Sequence, residues 1–156
     1  MDRKSTLFIL LLLVGCASNK TPLPPVDGAS KTLSRSSFRA NGSVDRVGSY
    51  SPLTSATMSI PAADVIISGW AVDDRSSNPA AGVDVVIDEK PYRANYGEDR
   101  PDVARALNAP SCAKSGYTFV LHAGQFPKGR HTVVIRVISA DNKTFAEMIP
   151  LTLQIN

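Results

Sequence analysis

The sequence predicts an all-β fold, an antiparallel β-sandwich of about seven strands with one short helix, and three observations point to it. Beyond residue 55 the chain breaks into short apolar runs rich in β-branched residues, divided by Gly, Pro, Asn and Asp. Val83, Val85 and Ile87 alternate with Asp84 and Asp88, and Tyr117, Phe119 and Leu121 alternate with Thr118 and His122, the period of strands buried on one face. Finally, 156 residues at 43% hydrophobic content suffice for one packed core.

Taken from the N-terminus, residues 1–15 read as a signal peptide: Arg3 and Lys4 precede an unbroken apolar run over 7–14. That run is far short of the roughly 20 residues needed to cross a bilayer. The sequence Leu13, Val14, Gly15, Cys16 resembles the lipobox of bacterial lipoproteins. The resemblance implies cleavage before Cys16 and lipid attachment to it, and two or three acyl chains make such attachment effectively permanent. Ala17 after the cysteine implies, by the sorting rule of enteric bacteria, the outer membrane, with the domain facing the periplasm or exposed at the surface. Residues 16–54 are rich in Ser, Thr, Pro, Asn and Gly with no clear period, which predicts a disordered, flexible linker able to hold a domain several nanometres from the membrane.

The domain itself is expected over 55–156, with strands at 56–60, 64–72, 83–88, 91–96, 116–122, 131–139 and 144–155. The stretch 133–137 is apolar except at Arg136, which suits a central strand with a neighbour on each side. Asp141 and Asn142 predict a hairpin turn between the last two strands, and Pro150, which cannot donate to a ladder, predicts an edge or a bulge. Residues 100–107 read as a short helix, with Pro101 in its first turn and Asp102 favourably placed against the N-terminal dipole.

Gly69, Trp70, Ala71, Val72 and Asp73, the run 83–88, Tyr96, Gly97 and the run 99–103, Ser115, Gly116, Tyr117 and Phe119, and 129–133 together resemble the small Ig-like β-sandwich modules of bacterial secreted and envelope proteins. The resemblance covers about residues 64–155 and implies a sandwich without catalytic action of its own, often an accessory to a larger enzyme.

The formal charge of +3 is too near neutral to suggest nucleic-acid binding. His122 and His131 lie apart from any nucleophile elbow and fall short of a zinc ligand set, so both are expected to be structural, with no metal and no cofactor. Asp73, Asp74, Asp84 and Asp88 could gather for calcium, but more often such residues cap turns. Trp70 is expected to be buried, whereas Tyr92 and Tyr96 are candidates for an exposed platform for glycan. Asp99, Arg100 and Asp102 form either a partner-binding knob or a fixed ion pair that pins the helix to a sheet edge. Cys112 reads as a buried small residue or as a thiol able to join a second chain. The function expected is non-catalytic: a lipid-anchored module at the membrane that binds another envelope protein or gives structural support. Glycan binding is the alternative, and an enzyme based on Asp99 and Asp102 comes third.

Overall fold

The inward faces read from the sequence are found in a computed structural model, which describes residues 26–37, 40–51, 57–73 and 78–156, although β6 is buried on both faces. Cys16 and the lipobox lie outside these residues. The described chain is an all-β sandwich of two sheets with one short helix. Its strands are β1 (Ser34–Arg35), β2 (Asn41–Val47), β3 (Thr57–Ile60), β4 (Val65–Asp73), β5 (Asn78–Pro79), β6 (Gly82–Ile87), β7 (Lys90–Arg93), β8 (Asn95–Glu98), β9 (Gly116–Leu121), β10 (Gly129–Ile138), β11 (Thr144–Glu147) and β12 (Leu151–Ile155). The helix α1 spans Pro101–Ala106, between β8 and β9.

In the first sheet the order β1-β11-β10-β12-β3 continues on the far side of β10 into β6 and then β7. Strand β10 is therefore central, as its apolar sequence predicts, with Val133–Val137 facing Ile87–Val83 of β6. On its other side it meets β12 at its beginning and β11 at its end. The second sheet runs β2-β4-β9-β8, with the short β5 beside β4. Two pairings, β1 with β11 and β12 with β3, are parallel; every other is antiparallel.

Val83, Val85, Ile87, Val133, Ile135, Val137, Leu153 and Met58 from the first sheet pack against Val44, Val47, Ile67, Ala71, Tyr117 and Phe119 from the second. At roughly 1.5–3 kcal/mol for each large aliphatic side chain taken out of water, this layer is the main source of stability. Gly69 leaves the space that the buried Tyr117 ring occupies, and the Tyr117 hydroxyl donates to the Ser43 carbonyl at 3.1 Å. Burial pushes the pKa of that phenol well above its ordinary range, with Asp45 adding to the effect, so it stays a donor.

Several expectations are corrected. The stretch 91–96 is not one strand: β7 pairs with β6 in the first sheet and β8 with β9 in the second, the chain changing sheets at the small, buried Ala94. The stretch 144–155 is interrupted at Met148–Pro150, the position where Pro150 cannot donate, and β12 beyond it is an interior strand. The expected tether 16–54 contains folded structure from Val26 on, so the domain does not start at residue 55.

Residues 26–36 form a strap over the outer face of the first sheet. The strap begins antiparallel to β7, where Arg93 N–H donates to the Val26 carbonyl at 2.9 Å and Gly28 N–H to the Pro91 carbonyl at 3.0 Å. A 3-10 turn, Ala29–Thr32, carries it across, and β1 then lies along β11. Beneath it Asp84 is fully buried and accepts from Ser30 N–H at 2.6 Å. Strand β2 completes the edge of the second sheet against β4, with a bulge between Val44 and Arg46.

Candidate functional site

The two-residue turn between β6 and β7, Asp88 and Glu89, has both residues at positive φ, 46° and 70°, the conformation of a type I′ hairpin. Neither is glycine, and the turn is held by its own side chain: Asp88 Oδ1 accepts from Thr132 N–H at 3.0 Å and Oδ2 lies 2.6 Å from His131 Nδ1. The turn closes one end of a groove of about 490 Å³ on the outer face of the first sheet. Val86 and Val134 form its floor, Thr132 one wall, and Arg136 with Glu147 the other. Arg136 bonds Glu147 at 2.9 Å and stacks 4.3 Å from the Phe145 ring, while Glu147 also holds Arg35 of β1 at 2.9 Å. Alternate positions of β6 and β10 build this face, their neighbours facing the core.

The His131 ring is buried, and its Nε2 lies 2.8 Å from the Pro127 carbonyl. Burial opposes its charged form, but the Asp88 carboxylate and the Pro127 carbonyl outweigh that and raise its pKa above the ordinary value. The same contact with His131, against a smaller opposing effect of burial, lowers the pKa of Asp88. His122 sits 3.2 Å from Asp64, whose pKa is lowered mainly by the Ala123 N–H at 2.8 Å and then by His122. Both histidines therefore serve as ties between elements.

The predicted contact residues divide. Tyr92 is buried, 5.7 Å from the Phe126 ring centroid and 6.2 Å from that of Phe119. Tyr96 donates to the Ala71 carbonyl at 2.7 Å and accepts from Ala80 N–H at 2.9 Å; burial pushes its phenol up to about 12. The expected exposed tyrosine platform is thus corrected: Tyr92 is buried and Tyr96 partly buried, both packed against the core.

Arg100 and Asp102 form a bidentate pair at 2.9 and 2.7 Å, and the remaining Arg100 nitrogen reaches Asp45 in the β2 bulge at 2.7 Å. The pair ties α1 to the edge of the second sheet, the fixed pairing foreseen; Asp45 was not foreseen, since it lies in the stretch read as linker. The Arg100 guanidinium holds the Asp102 carboxyl down to about 2, and the Arg100 pKa is itself raised by Asp102 and then Asp45. A carboxyl so ionised donates no proton near neutrality, as a glycosidase acid must. Asp99 bonds Lys114 instead, at 2.8 Å.

The calcium candidates are dispersed: Asp73 accepts from Ala140 N–H, Asp84 lies under the strap and Asp88 is in the turn, while Asp74 lies outside the described residues. Among the described residues no three His, Cys, Asp or Glu side chains gather as for a metal. Trp70 is partly buried with Val72, Ala109 and Cys112, where residues 109–112 fold over the outer face of β4. Cys112 is fully buried, so its thiol does not face a second chain.

Sequence reasoning missed the burial of Asp84 and the strap that covers it. Asp84 alternates with core valines as a solvent-facing residue would, and the signal of its burial, Gly28 and Ser30, stands 54 positions away from it at Ser30. The chain matches no family model and no curated protein. A solved structure, that of the endo-beta-1,4-mannanase from Thermotoga petrophila, is similar at a TM-score of 0.46 and 13% identity, over 78% of this chain and 20% of the mannanase chain. A likeness of that extent carries no argument about activity.

Proposed function

We propose that this chain is a non-catalytic envelope lipoprotein that presents its sandwich to another envelope protein, or braces one, at the outer membrane. The observation that carries the reading is Cys16 behind Gly15 and an apolar run too short to span a bilayer. The way in which His122, His131, Asp64, Asp88, Arg100 and Asp102 are each committed to holding elements together supports a scaffold rather than a reaction centre. The surface offered is the groove over Val86 and Val134 with its mixed-charge rim.

The full chain expressed in a bacterium with labelled palmitate is expected to incorporate label and to sediment with outer membranes, and Cys16→Ser to do neither. Unlabelled wild-type protein released to the soluble fraction overturns the anchor. Cross-linking in the intact envelope is expected to capture one defined protein, and Val134→Glu, which puts a charge on the groove floor, to reduce its yield at least several-fold. A yield unchanged by that substitution overturns the groove as the contact.

A further inference from the structure

The loop between β9 and β10 covers one end of the core by a single aromatic ring. Phe126 packs edge-on against Tyr92, whose ring in turn meets Phe119. The loop is fastened at two points. At its start Asp64 accepts from Ala123 N–H at 2.8 Å, and at its end the Pro127 carbonyl lies 2.8 Å from His131 Nε2. The second fastening has a chemical requirement, because both ring nitrogens of His131 face oxygen acceptors: Pro127 O at 2.8 Å and Asp88 Oδ2 at 2.6 Å. A neutral imidazole has one N–H; the Asp88 carboxylate, the stronger acceptor, keeps it on Nδ1, so the Pro127 carbonyl would meet the Nε2 lone pair at hydrogen-bonding distance. The closed loop also buries Gln125 Nε2 without a hydrogen-bond partner, a cost that favours opening once a fastening goes.

We propose that residues 123–128 are a pH-dependent lid over the Tyr92–Phe119 aromatic cluster, held shut while His131 is protonated on both nitrogens and released when it loses a proton. The charged groups on the elements around the ring are consistent with this assignment. The β6–β7 turn supplies Asp88, in contact with the ring, and Glu89; β7 supplies Lys90, with Nζ 5.3 Å from the Tyr92 ring centroid. Lys128 belongs to the lid, Arg130 to β10, and His122 at the end of β9 is occupied by Asp64. The raised pKa of His131 agrees in direction: the fastening is complete below the ordinary histidine value of 6.5 and is lost as pH rises through the higher value of the folded protein. Opening lifts Phe126 and uncovers aromatic surface at this end of the sandwich, which the closed form withholds from any ligand.

The test is a titration of the full chain in detergent micelles from pH 6 to 9, read by nuclear magnetic resonance. The His131 ring nitrogens are expected to be both protonated at pH 6.5, and the ring-to-ring contact between Phe126 and Tyr92 to fall several-fold with the same midpoint as His131. Amides of β10 and β12 should stay protected throughout, which separates lid opening from unfolding. Asp88→Asn keeps an acceptor for Thr132 and turns its amide N–H toward Nδ1, so a neutral ring with its proton on Nε2 still holds Pro127: the His131 midpoint is expected to fall and the Phe126–Tyr92 contact to persist across it. In the wild-type chain, a His131 ring carrying one proton at pH 6.5, or a Phe126–Tyr92 contact unchanged across its titration, overturns the proposal.

Discussion

A methyl group placed on Gly28 would lie 2.6 Å from Asp84 Oδ2 and 2.8 Å from Pro91 Cβ, closer than carbon atoms tolerate. Gly28→Ala is therefore expected to cost about 1–3 kcal/mol in a urea titration, the usual penalty for overfilling a packed site. Two neighbouring substitutions separate what Ser30 does with its backbone from what it does with its side chain. The Ser30 hydroxyl is buried without a hydrogen-bond partner, whereas its N–H serves Asp84. Ser30→Ala should leave stability unchanged or raise it, because it removes a buried polar atom that gains nothing from burial. Asp84→Ala should lower it by about 1–3 kcal/mol, because it strands the Ser30 N–H and deprives Arg93 of the carboxylate 3.1 Å from its Nε.

At the scale of elements, α1 depends on Arg100. The helix is short, with Pro101 at its start and Leu107 N–H bonded back to the Val103 carbonyl at 2.9 Å, and no side chain caps it. Arg100→Ala removes the ties to Asp102 and Asp45, both partly exposed, so the global loss is expected to stay within about 1 kcal/mol. The amide of Leu107 should nevertheless exchange its hydrogen measurably faster, since the loss is local. Strands β9 and β10, which bury one regular face, and the core face of β6 were legible because alternation survives whatever packs above it. The strap and β2 were not, because residues 26–36 hold their place through backbone bonds to β7 and β11, and β2 buries only Val44 and Val47, put out of period by its bulge. The same reason hid the site. Tyr92 and Tyr96 look alike as exposed candidates in a strand of mixed polarity, and only the change of sheet at Ala94 turns both toward other elements. The Arg100–Asp102 pair was legible from spacing alone, its third member Asp45 being 55 residues away.

For the whole molecule, the His131–Asp88 tie sets a pH dependence with a definite sign. His131 has a raised pKa, so its contribution is full below 6.5 and declines as pH rises through the folded-state value. Asp88 has a lowered pKa, so its contribution is full above 3.8 and declines as pH falls through its depressed value. The melting temperature is therefore expected to be level between these limits and to fall on the alkaline side, and Asp88→Asn should flatten that fall. A melting temperature rising between pH 6.5 and 8.5 contradicts the assignment of the buried ring.

The strap also changes how far the molecule can roam. Only nine residues separate Cys16 from Val26, where the strap is already bonded to β7. The ten residue steps from Cys16 to Val26 span at most about 36 Å even when pulled straight. Were Cys16 acylated as proposed, the protein would patrol a thin shell above the lipid headgroups, and whatever it met would have to come down to that shell or be rooted in the same leaflet.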